Sequence, residues 1–183
     1  MACEDLQLTT DINTGCETVK MDMEFVAYHI PWDKITAKTF NKDTAKCSAL
    51  TATVANKLTA RGQMPFNGTN TAGEVKNFRM TFTQNFQFVV YGNTPTAAKI
   101  VNSLAHGKHV FILVQEGHTW ESKYIVLGIE SGMHISASDL TPYGDNGGWL
   151  VTMQAMNNES AAMFINTGTE STTEAIITAI KGL

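Results

Sequence analysis

Charge is scarce in this chain. Only 16% of its 183 residues are Asp, Glu, Lys or Arg, where a soluble globular protein carries about a quarter. Lys and Arg total 13 against 17 acidic residues, a net charge of −4, and no basic stripe marks a nucleic-acid binder. No apolar run is long enough to cross a bilayer, which excludes a helical membrane anchor within these residues. The start, Met1-Ala-Cys3-Glu-Asp5, is acidic and lacks the charged-then-apolar order of a signal peptide, so synthesis and folding in a cytoplasm are expected. The three cysteines, Cys3, Cys16 and Cys47, are odd in number and far apart. No C-x-x-C pair exists for zinc or redox work, and three free thiols are expected in a reducing compartment. With so little charge, the surface must be covered by Thr, Asn, Ser and Gly. Such a surface either packs against other copies or is simply polar.

Catalytic patterns are missing as well. Gly128-Ile-Glu-Ser-Gly132 has the order G-x-x-S-G, not the G-x-S-x-G of a nucleophile elbow, and reads as a strand end. His106, His109, His118 and His134 have no metal-ligand spacing such as H-E-x-x-H. His106 reads as a cation at the negative end of a helix, and His109 as the start of a strand. Asp145-Asn-Gly-Gly148 lacks the spacing and distal Glu of a calcium loop and reads as a turn. Asn67-Gly-Thr69 and Asn158-Glu-Ser160 match the glycosylation sequon, which has no meaning without secretion. Lys34, Lys38, Lys42 and Lys46 read as a solvated cationic face. The expectation is a non-enzymatic protein with no catalytic residues, no metal and no cofactor.

What the chain does have is strand pattern around one helix. Thr94 as N-cap, Pro95 at the first helical position and apolar Ala97, Ile100, Val101 and Leu104 predict a helix that Gly107 stops. Val110 to Val114 is an unbroken apolar run, the mark of a strand covered on both faces. Val19 to Ile30 alternates, with Val19, Met21, Met23, Phe25 and Ala27 on one face, and Pro31 ends it before a turn at Trp32 to Ile35. Cys47 to Leu58 is a further strand candidate whose Ala content leaves a helix open. Thr59 to Asn77, rich in Gly, Asn and Thr without period, reads as a long loop. Phe78 to Tyr91 alternates strongly, as one bent strand or as a pair turning at Gln84-Asn85. Lys123 to Ile129, Met133 to Ala137, Trp149 to Met156 and Ala162 to Ile165 complete the strands, with a Gly-rich turn at 142–148. Ser171-x-x-Glu174 makes a capping box for a short C-terminal helix closing at Gly182.

Seven or eight short, closely spaced strands leave no room for parallel crossovers. The fold class is mainly β, an antiparallel β-barrel or sandwich with one flanking helix and a short C-terminal helix. Residues 1–166 form the β domain, and residues 167–183 a polar linker and the terminal helix.

This order of elements resembles the tail-tube proteins of long-tailed bacteriophages and their relatives in contractile injection systems, with the likeness sharpest from Phe78 to Ile165. The features that carry it are Phe86-Gln-Phe-Val-Val90, the helix from Ala98 to Leu104, Gly107-Lys-His-Val-Phe-Ile-Leu-Val114, Tyr124-Ile-Val-Leu-Gly-Ile129, Gly132-Met-His-Ile-Ser136 and Trp149-Leu-Val-Thr-Met153. The acidic, cysteine-containing start is also similar to small virion proteins of Bacteroides-type phages and prophages. The resemblance implies a structural virion protein, made in the bacterial cytoplasm, whose copies form rings, typically hexameric. Neighbouring sheets would join around a lumen that passes DNA without specific binding, and Thr59 to Asn77 would stack the rings. Its other partners would be phage structural proteins, with no membrane partner. Another virion part (head decoration, connector or baseplate) and a monomeric small-ligand-binding β-barrel are the alternative readings.

Overall fold

The computed structural model describes residues 23–60, 66, 68–76, 79–115, 117–141, 147–158 and 160–183. Readings that fall on Cys3, Cys16, Val19, Met21, Asn67, Phe78 and Asp145 lie outside these residues.

Eleven strands and two α-helices make two sheets. The strands are β1 (Met23–Pro31), β2 (Ile35–Asn41), β3 (Lys46–Ala52), β4 (Asn56–Thr59), β5 (Asn70–Lys76), β6 (Arg79–Tyr91), β7 (His109–Gln115), β8 (Tyr124–Leu127), β9 (His134–Thr141), β10 (Gly148–Asn158) and β11 (Met163–Ile165). The helices are α1 (Pro95–Leu104) and α2 (Glu170–Lys181). The larger sheet has the order β2-β3-β11-β8-β7-β1-β4, and the smaller β5-β6-β10-β9. Neither closes into a barrel, so the fold is a sandwich. All pairings are antiparallel except β11 with β3, where Phe164 lies opposite Lys46 and Ile165 opposite Cys47.

The centre is β7, buried at every position from His109 to Val114. Its residues alternate between two cores because strand side chains have a period of two. Val110, Ile112 and Val114 join Tyr28, Ile30, Tyr124, Val126, Ile165, Ile177 and Ile180 in the core beneath α2. Phe111 and Leu113 join Phe86, Phe88, Val101, Leu104, Val151 and Met153 between the sheets and under α1. Both faces of β7 are covered, as its apolar run requires.

The helix α1 follows its sequence signals. The Thr94 hydroxyl accepts the N–H of Ala97 at 3.2 Å, and Gly107 takes φ +87° just past the end. Ile100, placed on its apolar face by the sequence, is instead 46% exposed. The N-cap of α2 is Thr169, not Ser171. Glu174 does not cap; it accepts the Tyr124 hydroxyl at 2.7 Å and pairs with Lys123 at 3.6 Å, fastening α2 to β8.

Two sequence readings are corrected, and the choice between one strand and a pair at Phe78 to Tyr91 falls to one strand. Cys47 to Leu58 is two strands, β3 and β4, toward opposite ends of the larger sheet, β4 at one edge and β3 next to the other edge strand, β2. Phe78 to Tyr91 does not turn at Gln84-Asn85; described from Arg79, it is one strand of 13 residues. Thr59 to Asn77 is not a structureless loop, because Phe66 is buried and residues 70–76 are β5, paired along β6 from Asn70↔Asn85 to Lys76↔Arg79. The period-two signal of β5 is masked by Thr, Ala, Gly and Glu, which suit an exposed edge. The strand β2 was also missed, and with it the role of Lys38. That ammonium lies 3.6 Å from the centre of the Trp32 ring and donates to the Ile129 carbonyl at 2.8 Å. It is not part of a solvated face.

Candidate functional site

Two features of the described residues can do more than hold the fold. The first is the outer face of the smaller sheet. On β6, Phe86 and Phe88 point inward while Asn85 and Gln87 point outward, and β10 alternates in step, Met153 opposite Phe86 and Thr152 opposite Gln87. Cross-strand side chains form an amide ladder on the outer face. Asn85 Nδ2 donates to Asn70 Oδ1 at 2.7 Å, Gln154 Nε2 to Asn85 Oδ1 at 3.0 Å, and Gln87 Nε2 to Thr152 Oγ1 at 3.1 Å. By register, Glu74, Arg79 and Asp139 share this face, so both signs of charge are thinly spread over a neutral polar surface.

Among the described residues, the same sheet ends on two open edges. Its strands alternate in direction, so β5 and β9 run opposite to each other. At one end β10 reaches only to Phe82, opposite Asn158, and residues 79–81 pair with β5 alone. There Val75 and Met80 lie opposite each other on the core-facing side, yet are 72% and 51% exposed. A Cβ on Gly73 would fall 2.4 Å from Met80 Cε and 3.2 Å from Phe82 Cε1. Glycine is what lets those side chains lie flat across this end of the hairpin.

The second feature is a cleft at the end of the inner core. His29 is opposite Phe111 in the β1–β7 ladder and opposite Asn56 in the β1–β4 ladder. His29 Nε2 lies 2.8 Å from His109 Nδ1, His109 Nε2 3.1 Å from the Leu104 carbonyl, and Asn56 Nδ2 3.3 Å from His29 Nδ1. Both rings are buried. Burial, then the neighbouring His109, brings the His29 pKa down to about 4. Burial also lowers His109, against the opposing pull of the Leu104 carbonyl. Cavities of about 410 and 550 Å³ flank the pair. His109 was legible only as a strand start, and His29 was not singled out, because its partner lies 80 positions away in the chain.

The remaining sequence candidates do not converge. His106 is exposed at the end of α1. The His118 imidazole Nδ1 lies 3.4 Å from Ser122 Oγ, and His134 lies on β9 opposite Gln154. Ser131 donates its hydroxyl to Asn158 Oδ1 at 2.8 Å, and residues 128–132 form the turn that leads from β8 toward β9. Asn158, half of the second sequon, is only 1% exposed. Cys47 is buried and its thiol is pushed up to about 11, chiefly by burial, which makes it a poor nucleophile. Among the described residues, no group of three or more His, Cys, Asp or Glu could hold a metal ion, and no helix is long and apolar enough to cross a membrane.

Comparison with protein-family models, curated proteins and solved structures gave no match.

Proposed function

We propose that this chain is a non-enzymatic structural subunit of a phage or prophage virion, a tail-tube protein that assembles into stacked rings. The observation that carries the reading is the smaller sheet, with two open edges of opposite direction and a near-neutral amide face. A copy rotated about an axis would bring its β5 beside β9 antiparallel, the geometry of a continued ladder. Repeating that heterologous contact closes a ring and uses up the open edges. The amide face would then line the lumen, where the scarcity of cations suits DNA that must pass without being held. Val75 and Met80, at the hairpin end, would be covered by the next ring.

Sedimentation and electron microscopy of the purified chain test this. Rings or tubes are expected. A monomer at high concentration with no ring by microscopy overturns the reading, and closed shells or isolated rings that never stack point to another virion part. The ligand-binding alternative requires a closed barrel around a cavity, and the two sheets here are open.

A further inference from the structure

The contacts among Asn56, His29, His109 and Leu104 have only one consistent direction when both rings are neutral. A carbonyl can only accept, so His109 Nε2 carries the proton directed at Leu104. His109 Nδ1 is then bare and accepts from His29 Nε2–H. That leaves His29 Nδ1 bare, accepting from the Asn56 amide. Each polarity follows from the one before it. With the Asn56 amide held in this orientation, a second proton on either ring sets two donors against each other, at the 2.8 Å contact between the rings or at the Asn56 NH2.

The chain joins four elements: the edge strand β4, β1, β7 and the last turn of α1. Two of these are short or terminal at this point, although Leu58 of β4 and Leu104 of α1 also pack on the inner core. β4 has four residues and pairs only with β1, and Leu104 is the last residue of α1, where carbonyls lack helical partners. His29, Asn56, Ser103 and Leu104 line both flanking cavities, so the hydrogen-bonded chain is the wall between them.

The surroundings disfavour an added proton. From the turn after β1 comes Asp33, from β4 Lys57, from α1 Lys99, from just past its end His106, from the approach to β7 Lys108, from β6 the phenol Tyr91, and from β9 His134. Asp33 is the single carboxylate among these described groups, and its other neighbour is Lys34 at 2.9 Å.

We propose that the Asn56–His29–His109–Leu104 chain is an acid-released latch. It is closed while both rings are neutral. One added proton opens it, freeing β4 and the end of α1 and merging the two cavities into one groove along the open edge of the larger sheet. The depressed His29 pKa, about 4, keeps the latch shut through neutral and mildly acidic conditions.

The test uses the wild-type chain. Nitrogen-15 NMR of the imidazoles should show both rings neutral at pH 7 with the proton on Nε2, titrating together below the usual histidine range. Amide exchange, corrected for intrinsic rates, should speed up by about tenfold or more over the same step in Asn56–Thr59 and residues 101–106. Protection in β8 and β10 should hold. In the double variant His29→Gln with His109→Gln, which keeps donors and acceptors but has no ring left to titrate, the pH step in β4 should vanish. A charged ring at pH 7, titration without a change in β4 exchange, or loss of β8 and β10 protection at the same pH would each overturn the latch.

Discussion

Gln84 bridges the two sheets of the sandwich: its Oε1 accepts the N–H of Gly128 at 2.8 Å while its Nε2 donates to the Ala161 carbonyl at 3.3 Å. The side chain is 2% exposed and Gly128 is buried, so the Gly128 N–H has no water to turn to if Gln84 is removed, whereas Ala161 is exposed. Gln84→Leu should cost about 1–3 kcal/mol, chiefly from the buried Gly128 N–H left unpaired, with the slope of urea unfolding unchanged. A loss under about 0.5 kcal/mol would mean that the neighbouring backbone finds other partners.

Ile112 is fully buried in the strand that separates the two cores. Ile112→Asp would place an unpaired charge there, a cost on the order of the whole stability of a domain. The variant should lack a cooperative thermal transition by circular dichroism. A folded variant would show that β7 is less enclosed than its burial indicates.

Gly128 sits at φ +79°, and a Cβ there would lie 2.8 Å from the His109 carbonyl oxygen. Gly128→Ala should therefore lose at least about 1–2 kcal/mol from the left-handed backbone alone, with the backbone clash added. Gly107 also has positive φ but open space around it, so Gly107→Ala should show only the backbone cost. Thermal melts of the two variants side by side separate strain from clash.

Acid should weaken the fold through His29. Its folded pKa, about 4, lies below the ordinary 6.5, so between those values the unfolded chain binds more protons. The stabilisation is complete above about pH 6.5 and is lost as pH falls toward 4, by at most about 3 kcal/mol. Urea midpoints at several pH values in that window measure it, and His29→Gln should flatten the dependence.

The hairpin end offers the sharpest check on assembly. Val75→Lys with Met80→Lys changes two side chains already in water, so the melting temperature should move little while stacking is lost. Tubes of normal length from the double variant would remove the hairpin from any role in stacking.

Much of the fold was legible in the sequence because its strongest patterns are buried on two faces or on one. The run from Val110 to Val114, the Phe alternation of β6 and the Thr94-Pro95 start of α1 each report a local physical demand. The strands that escaped notice, β2 and β5, and β4, which was not separated from β3, are sheet edges, and edge strands need no apolar period. Lys38 was misread for the same reason: its partners Trp32 and Ile129 are brought to it by the sheet and not by spacing. The histidine pair was illegible because β1 and β7 meet only after the intervening strands and α1 are in place. The outer amide ladder could be seen only as a general abundance of Thr and Asn.

The three-residue strand β11 has a consequence for how the chain can be made. Within the larger sheet's ladder, β2 and β3 connect to the remaining strands only through it, by Phe164 N–H to the Ala45 carbonyl and Asn166 N–H to the Cys47 carbonyl, at 2.9 and 3.0 Å. A ribosome delivers β3 long before β11, so the β2–β3 hairpin must wait, unattached on that side, until all the strands between them have emerged. Contacts of such long sequence separation form slowly. The joining of β2 and β3 to the rest of the larger sheet is thus a late step of folding, set by the emergence of β11.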